Sequence, residues 1–224
     1  MEAFILKTTK KGRLEVICGS MFSGKSEELM RRLNRSEFAK QNVLTLKPSI
    51  DTRKSLSCIV SHNGKERRAQ SVINTHESLR NILERADDSI DVVGIDEIQF
   101  LSLEIISVIQ ALLEKGKRVI VAGLDTDFKN EPFGPVPTLL ALADDILKLK
   151  AICVVCAKEA QHTQRLVNGH PAKYSDTVIL IGAEELYEAR CRDCFSIEKG
   201  PQGQNEQQDF FQEPLKVTFS QPTF

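Results

Sequence analysis

One stretch constrains this chain more than any other. Gly19-Ser20-Met21-Phe22-Ser23-Gly24-Lys25-Ser26 reads G-x-x-x-x-G-K-S, the phosphate-binding P-loop pattern. A short apolar run, Leu14-Glu15-Val16-Ile17-Cys18, lies ahead of it and suits a buried strand. Behind it, residues 27–33 place apolar side chains at helical spacing. A strand therefore feeds a glycine loop, and the loop opens a helix. Glycines let backbone N–H groups approach phosphates, and the helix N-terminus adds positive potential. In that pattern Lys25 reaches the β- and γ-phosphates and the Ser26 hydroxyl ligates Mg²⁺.

A second stretch has the matching form. Val92-Val93-Gly94-Ile95 is an apolar run ending in Asp96-Glu97, as a buried parallel strand ends at its carboxyl side. An acid in that position holds Mg²⁺ in phosphoryl-transfer sites. Its neighbour Glu97 can accept a proton from an attacking hydroxyl or water. The plainer alternative is that Glu97 caps the next helix or orients water; following a P-loop in this order, catalysis is favoured. Further strands are expected at 43–47, 58–61, 118–122 and 146–150, the last leading out of the main domain. Helices are expected at 78–85 with Thr75 or Ser78 as N-cap, at 101–115 and at 137–143. Strands alternating with helices from 14 to 150 predict an α/β domain with a mostly parallel sheet flanked by helices, of the RecA-like P-loop kind. Ligands of such sheets bind at the carboxyl ends of the strands.

Beyond residue 150 the character changes. Four of the six cysteines form two C-x-x-C pairs, Cys153/Cys156 and Cys191/Cys194, around β-rich segments such as 177–181. Four thiolates complete a tetrahedral zinc shell with no open position, which makes the role structural. Disulfides suit a reducing compartment badly, and a redox pair explains two flanking knuckles less well. Cys18 and Cys58 are read as buried small hydrophobes. His162 and His170 are expected on loops or the surface, and Arg31, Arg32 and Arg35 on a solvated helix face. Arg53 can supply transition-state charge, although a surface role is the simpler reading; Phe128 and Phe133 can stack on a base or fill core, and core is the simpler reading. The expected organisation is a lead at 1–12, an ATP-binding domain at 13–150, a small zinc-ribbon-like domain at 151–200 and a disordered polar tail at 201–224.

Lys+Arg total 30 against Asp+Glu 31, a net charge of −1, so composition gives no sign of a nucleic-acid or membrane surface. No apolar run reaches transmembrane length and no signal-peptide core is visible, so a cytoplasmic protein is expected.

Together these residues resemble the type II thymidine kinases, the zinc-containing, thymidine kinase 1-like class. The matching stretches are 19–26, 47–53, Asp96-Glu97-Ile98-Gln99-Phe100, Ala122-Gly123-Leu124-Asp125 with Phe128, and Pro132-Phe133-Gly134. Both cysteine pairs, Thr163-Gln164-Arg165 and 181–188 match as well. The resemblance implies ATP-dependent phosphorylation of the thymidine 5′-hydroxyl, and of deoxyuridine, in pyrimidine deoxynucleotide salvage. It implies Glu97 as the base, Ser26 and Asp96 on magnesium, and Asp51, Thr52, Arg53 and Gln99 with the P-loop residues on the nucleotide side. It implies a nucleoside pocket of Met21, Phe100, Leu124, Phe128, Thr163 and Tyr187. A lasso loop over roughly 165–182 would cover the nucleoside, with Val178, Ile179, Leu180, Ile181 and Gly182 nearest. It further implies a homotetramer inhibited by thymidine triphosphate. Two positions depart from the pattern: Leu101 replaces a common second aromatic, and Asp127 is more acidic than usual.

The competing reading is a P-loop ATPase whose zinc ribbon grips nucleic acid or a protein. Glu184, Glu185 and Glu188 suit a phosphate backbone poorly. A GTPase is disfavoured because the sequence contains no Asn-Lys-x-Asp guanine-reading segment.

Overall fold

Alternate residues of the first strand face opposite ways, and that alternation builds the domain. In the computed structural model, which describes residues 11–50, 57–60, 64–179 and 186–198, β1 spans Arg13–Gly19. Leu14, Val16 and Cys18 pack into one buried cluster and Ile17 into another. Helix α1 (Lys25–Phe38) covers the Ile17 face with Leu29, Met30 and Leu33. The strand β2 (Val43–Pro48), the short hairpin β3 (Cys58–Val60) and β4 (Glu66–Arg68), and then β5 (Gln70–Val72) follow.

Helix α2 (His76–Arg85) starts where Ser78 N–H donates to Thr75 Oγ1 at 3.3 Å, so Thr75 is the N-cap. Next come β6 (Val92–Ile95), a 3-10 turn at Ile98–Phe100, α3 (Ile105–Glu114) and β7 (Arg118–Gly123). The helix expected from 101 begins four residues later. Leu101 is extended, and Ser102 N–H is taken by the Asn74 side chain at 2.8 Å. Then follow α4 (Val136–Leu142) and β8 (Asp145–Leu149). Leu79 and Ile82 of α2, Ile105 and Ile109 of α3 and Leu139 of α4 fill the Leu14 face. Each such side chain, fully buried, contributes roughly 1.5–3 kcal/mol.

The sheet has the order β5-β2-β6-β7-β1-β8, and every pairing is parallel. The last of these, β8, is the strand expected at 146–150 before the chain leaves the sheet for β9. It pairs with β1 from Glu15↔Asp145 to Gly19↔Leu149 as the edge strand. Ile146 and Lys148 are exposed on that edge, and half-buried Asp145 is held by Arg32.

After β8 the strands are short. The pair β9 (Ala151–Ile152) and β10 (Glu159–Ala160) is antiparallel. A second group joins β11 (His162–Val167), β12 (His170–Pro171) and β13 (Leu186–Arg190) in the order β12-β11-β13. The strand expected at 177–181 is not formed over its described part, 177–179, where the Thr177 carbonyl accepts Arg165 Nη1 at 2.6 Å.

Candidate functional site

The carboxyl ends of β1, β2, β6 and β7 open onto one cavity of about 350 Å³. The chain leaves β1 at Gly19 and turns through Gly24, whose φ of 87° an L side chain resists. Helix α1 starts at Lys25, and Met21, Phe22, Gly24, Lys25 and Ser26 line the cavity. Ser20 is buried, and its carbonyl accepts Lys25 Nζ at 2.7 Å and Ser23 Oγ at 2.8 Å. Gly19, Ser20 and Ser23 thus shape the loop from behind the wall.

Asp96 stands at the end of β6 and hydrogen-bonds the Ser26 side chain. Its Oδ1 also accepts Glu97 N–H at 3.0 Å. Burial, then the charge of Glu97, push the Asp96 carboxyl up to about 7 against the pull of Ser26 and Lys25. Glu97 lies beside it on the cavity wall in the left-handed region, at φ 50°. Glu97 takes the N-cap position of the 3-10 turn, its carbonyl accepting Phe100 N–H at 3.1 Å, but forms no side-chain cap hydrogen bond.

The other end of the cavity is apolar. Phe100 and Phe133 meet edge to face at 5.7 Å, and Leu124, Phe128, Val178 and Tyr187 complete the wall with Thr163. Phe133 is therefore half-buried on the wall instead of in the core, whereas Phe128 is both buried and part of the wall. Met21 N–H donates to Thr163 Oγ1 at 3.0 Å, and Ser20 Oγ to the Ala160 carbonyl at 3.3 Å, so β10 and β11 are tied to the P-loop.

Some expected residues lie elsewhere. Ile179 is exposed and does not line the cavity. Gln99 is buried but off the wall, its amide held between Glu97 and Leu124. Asp51, Thr52, Arg53, Leu180, Ile181 and Gly182 lie outside the described residues, as do the tail and most of the lead.

Sequence reasoning missed Lys47 and misread Cys58, both on the wall. Lys47 is buried at the end of β2 and donates to the Cys58 carbonyl at 3.1 Å, drawing β3 over the site. Cys58 is consequently half-buried at the cavity and is not a core residue. The carboxyl-end rule for parallel sheets was the signal for Lys47. His162 also corrects its surface assignment. It is buried, pairs through Nδ1 with Asn130 Oδ1 at 2.8 Å and stacks on Phe195 at 5.0 Å. Burial, with Arg192 and Lys148, holds its pKa below the usual imidazole range.

A family model described as thymidine kinase matches residues 12–195, well over half of the 224-residue chain. The chain belongs to the thymidine kinase family. It is thus a thymidine kinase, and the matched range takes in the P-loop, the Asp96-Glu97 corner and both cysteine pairs. Among the described residues of this kinase, no helix is long and apolar enough to cross a membrane.

The four cysteines of the kinase converge. The sulfurs of Cys153, Cys156, Cys191 and Cys194 all lie within 4.8 Å of one another. A tetrahedral ion with bonds of about 2.3 Å sets its sulfurs about 3.8 Å apart, so this donor set can hold such an ion. Each knuckle is folded by its own backbone: Ala157 N–H donates to the Cys153 carbonyl, and Cys194 and Phe195 N–H to that of Cys191. Burial pushes the Cys153 thiol up, but surrounding backbone hydrogen bonds outweigh it and bring it to about 6, whereas hydrogen bonds with Cys191 and Cys156 push the Cys194 thiol up to about 12. This cluster fits the type II class.

Proposed function

We propose that this thymidine kinase transfers the γ-phosphate of ATP to the 5′-hydroxyl of thymidine, and accepts deoxyuridine, with Glu97 as general base. One observation carries the reading: Lys25, Ser26, Asp96 and Glu97 share a wall whose far end is apolar and aromatic. A triphosphate suits the first half and a nucleoside the second. The 5′-oxygen bonds to the γ-phosphorus, the bond from that phosphorus to the β-phosphate oxygen breaks, and ADP leaves. The hydroxyl proton passes to the Glu97 carboxylate. Lys25 neutralises charge on the transferring group, and Met21, Phe100, Leu124, Phe128, Thr163, Val178 and Tyr187 hold the nucleoside.

Ser26 and Asp96 would hold Mg²⁺, which supplies charge neutralisation at the phosphates. Cys153, Cys156, Cys191 and Cys194 would hold a structural Zn²⁺, stapling β9 to β13 as a small domain over 151–200 beside the ATP-binding domain. Thymidine triphosphate carries both a nucleoside and a triphosphate, which favours it as an inhibitor of the same cavity. The homotetramer and the cytoplasmic location are supported by the family resemblance, and sedimentation and fractionation measure them.

A nucleoside panel with γ-labelled ATP tests the reading. Label should appear in thymidine and deoxyuridine monophosphates, and Glu97→Gln should lose most turnover while still binding ATP. Near-normal turnover by that variant would remove Glu97 as the base. Metal analysis should find about one zinc per chain on a closed four-thiolate site; a metal-free, fully active protein would exclude the structural ion.

A further inference from the structure

The proposed chemistry gives no role to Gln99, which is 2% exposed and off the cavity wall. Its side chain reaches two ways. Leu124 N–H donates to Gln99 Oε1 at 3.1 Å. A backbone N–H can only donate, so the atom facing it must be the amide oxygen. The amide nitrogen is thereby turned towards Glu97, and Nε2 donates to Glu97 Oε2 at 2.5 Å. Glu97 follows β6 and Leu124 follows β7, so the amide bridges the carboxyl ends of neighbouring parallel strands.

The surroundings are shaped to this amide. A Cβ on Gly123 would stand 2.6 Å from Gln99 Oε1, and one on Gly134 2.4 Å from the backbone carbonyl oxygen of Gln99. Neither glycine has room for a side chain while Gln99 stays where it is. Glu97 itself sits at φ 50°, ψ 40°, a conformation that costs a non-glycine residue about 1–3 kcal/mol unless its surroundings impose it. Leu124 is also a wall residue, so one amide sets both the acid and the apolar side of the cavity.

We infer that Gln99 is a positioning residue for phosphoryl transfer, its amide clamped by Leu124 N–H so that its N–H holds the Glu97 carboxylate in the reacting orientation. The inference rests on Glu97 being the base. The direction of the clamp matters as much as its shape: a glutamate at 99 keeps the acceptor for Leu124 but loses the donor and sets like charge beside Glu97.

The test is steady-state kinetics and thermal melting of Gln99→Glu, Gln99→Met, Glu97→Gln and the double variant Glu97→Gln/Gln99→Glu. Both Gln99 variants should lower kcat about 10- to 100-fold, the scale of a small misplacement of a reacting group. KM for ATP should stay within about twofold, since the P-loop is untouched. In the double variant donor and acceptor are exchanged. Its melting midpoint should recover towards wild type while its kcat stays at the Glu97→Gln level. Folded Gln99 variants with wild-type kcat, or with KM rising in step as kcat falls, would overturn the inference. If neither single variant folds, the double variant decides: a recovered midpoint supports the clamp and an unrecovered one refutes it. High turnover by Glu97→Gln would instead strike the base assignment, whatever the Gln99 variants do.

Discussion

The two ends of the central sheet use the same residue types to opposite ends. At the amino end, Glu15 of β1 is buried between two guanidinium groups: Arg32 lies 2.5 Å from Oε2, and Arg118 lies 2.7 Å from Oε1. Arg32 also meets Glu28 at 2.9 Å and Asp145 at 2.9 Å, tying α1, β1, β7 and β8 together. Burial pushes the Glu15 carboxyl up, but Arg118 and Arg32 outweigh it and hold it below the usual range. At the carboxyl end, Asp96 and Glu97 are adjacent acids, and burial with mutual repulsion drives Asp96 to about 7. One end has its charges matched inside the protein. The other holds negative charge that a metal ion would complement, and it keeps Glu97 in a left-handed backbone to do so. The lesson is positional: a parallel sheet concentrates stability at one rim and chemistry at the other.

The largest effect should come from substituting one glutamate at each rim. Glu97→Gln should reduce kcat about 10²- to 10⁴-fold, the usual worth of a general base, with little loss of folded stability. Glu15→Gln should leave kcat of the folded enzyme nearly unchanged. Equal losses of turnover at both rims would break the comparison.

Stability should respond the other way round. Glu15→Ala strands Arg32 and Arg118 without their central partner. It should cost about 3–5 kcal/mol, the scale of breaking a buried pair, in denaturant unfolding. Arg32→Ala belongs to the same class because its side chain is 12% exposed and serves three carboxylates.

The pH dependence sharpens the contrast. Glu15 has a lowered folded pKa, so its contribution is present above the unfolded carboxylate value and is lost as pH falls through the folded one. Asp96 has a raised one, from 3.8 to about 7. Its contribution is present below the unfolded value and is lost as pH rises through about 7. In metal-free protein, Asp96→Asn should therefore be increasingly stabilising from about pH 4 to pH 7, and Glu15→Gln most destabilising above about pH 5. Urea titrations at several pH values measure both; parallel curves for the two variants would contradict the charge assignment.

How much of this was legible in the chain depends on how local the signal is. The P-loop, the Asp96-Glu97 corner and the cysteine knuckles are short spacings with a chemical reason, and the structure brings each group together where that reason needs it. The strands β1, β6 and β7 read plainly because both faces are buried and the runs are apolar. What escaped was set by distant partners. Asp145, Arg32 and Glu15 are 113 and 17 residues apart along the chain, yet they meet in one network. Nothing local in α1 separates Arg32 from a solvated arginine. Lys47 and Cys58 reach the cavity only because a hairpin folds over β2, and His162 is buried only because β11 docks on the loop carrying Asn130. Gln99 looked like part of a nucleotide motif, and only the Leu124 N–H shows which way its amide points.

The smallest effect should fall on the neighbour of Arg32. Arg31 also holds Glu28, at 2.6 Å, and by distance alone this ion pair is the tighter of the two on that acid. Its side chain, however, is 58% exposed, against 12% for Arg32. In water the attraction is screened, and fixing a long side chain costs rotamer freedom. Arg31→Ala should accordingly shift the melting midpoint by no more than about 2 °C, and by less in high salt. Arg32→Ala, one residue along the same helix, should shift it several-fold further at any ionic strength. Equal shifts for the two would mean that contact distance, and not removal from water, governs the amino rim. The contrast between rims would then have to be rebuilt on geometry alone.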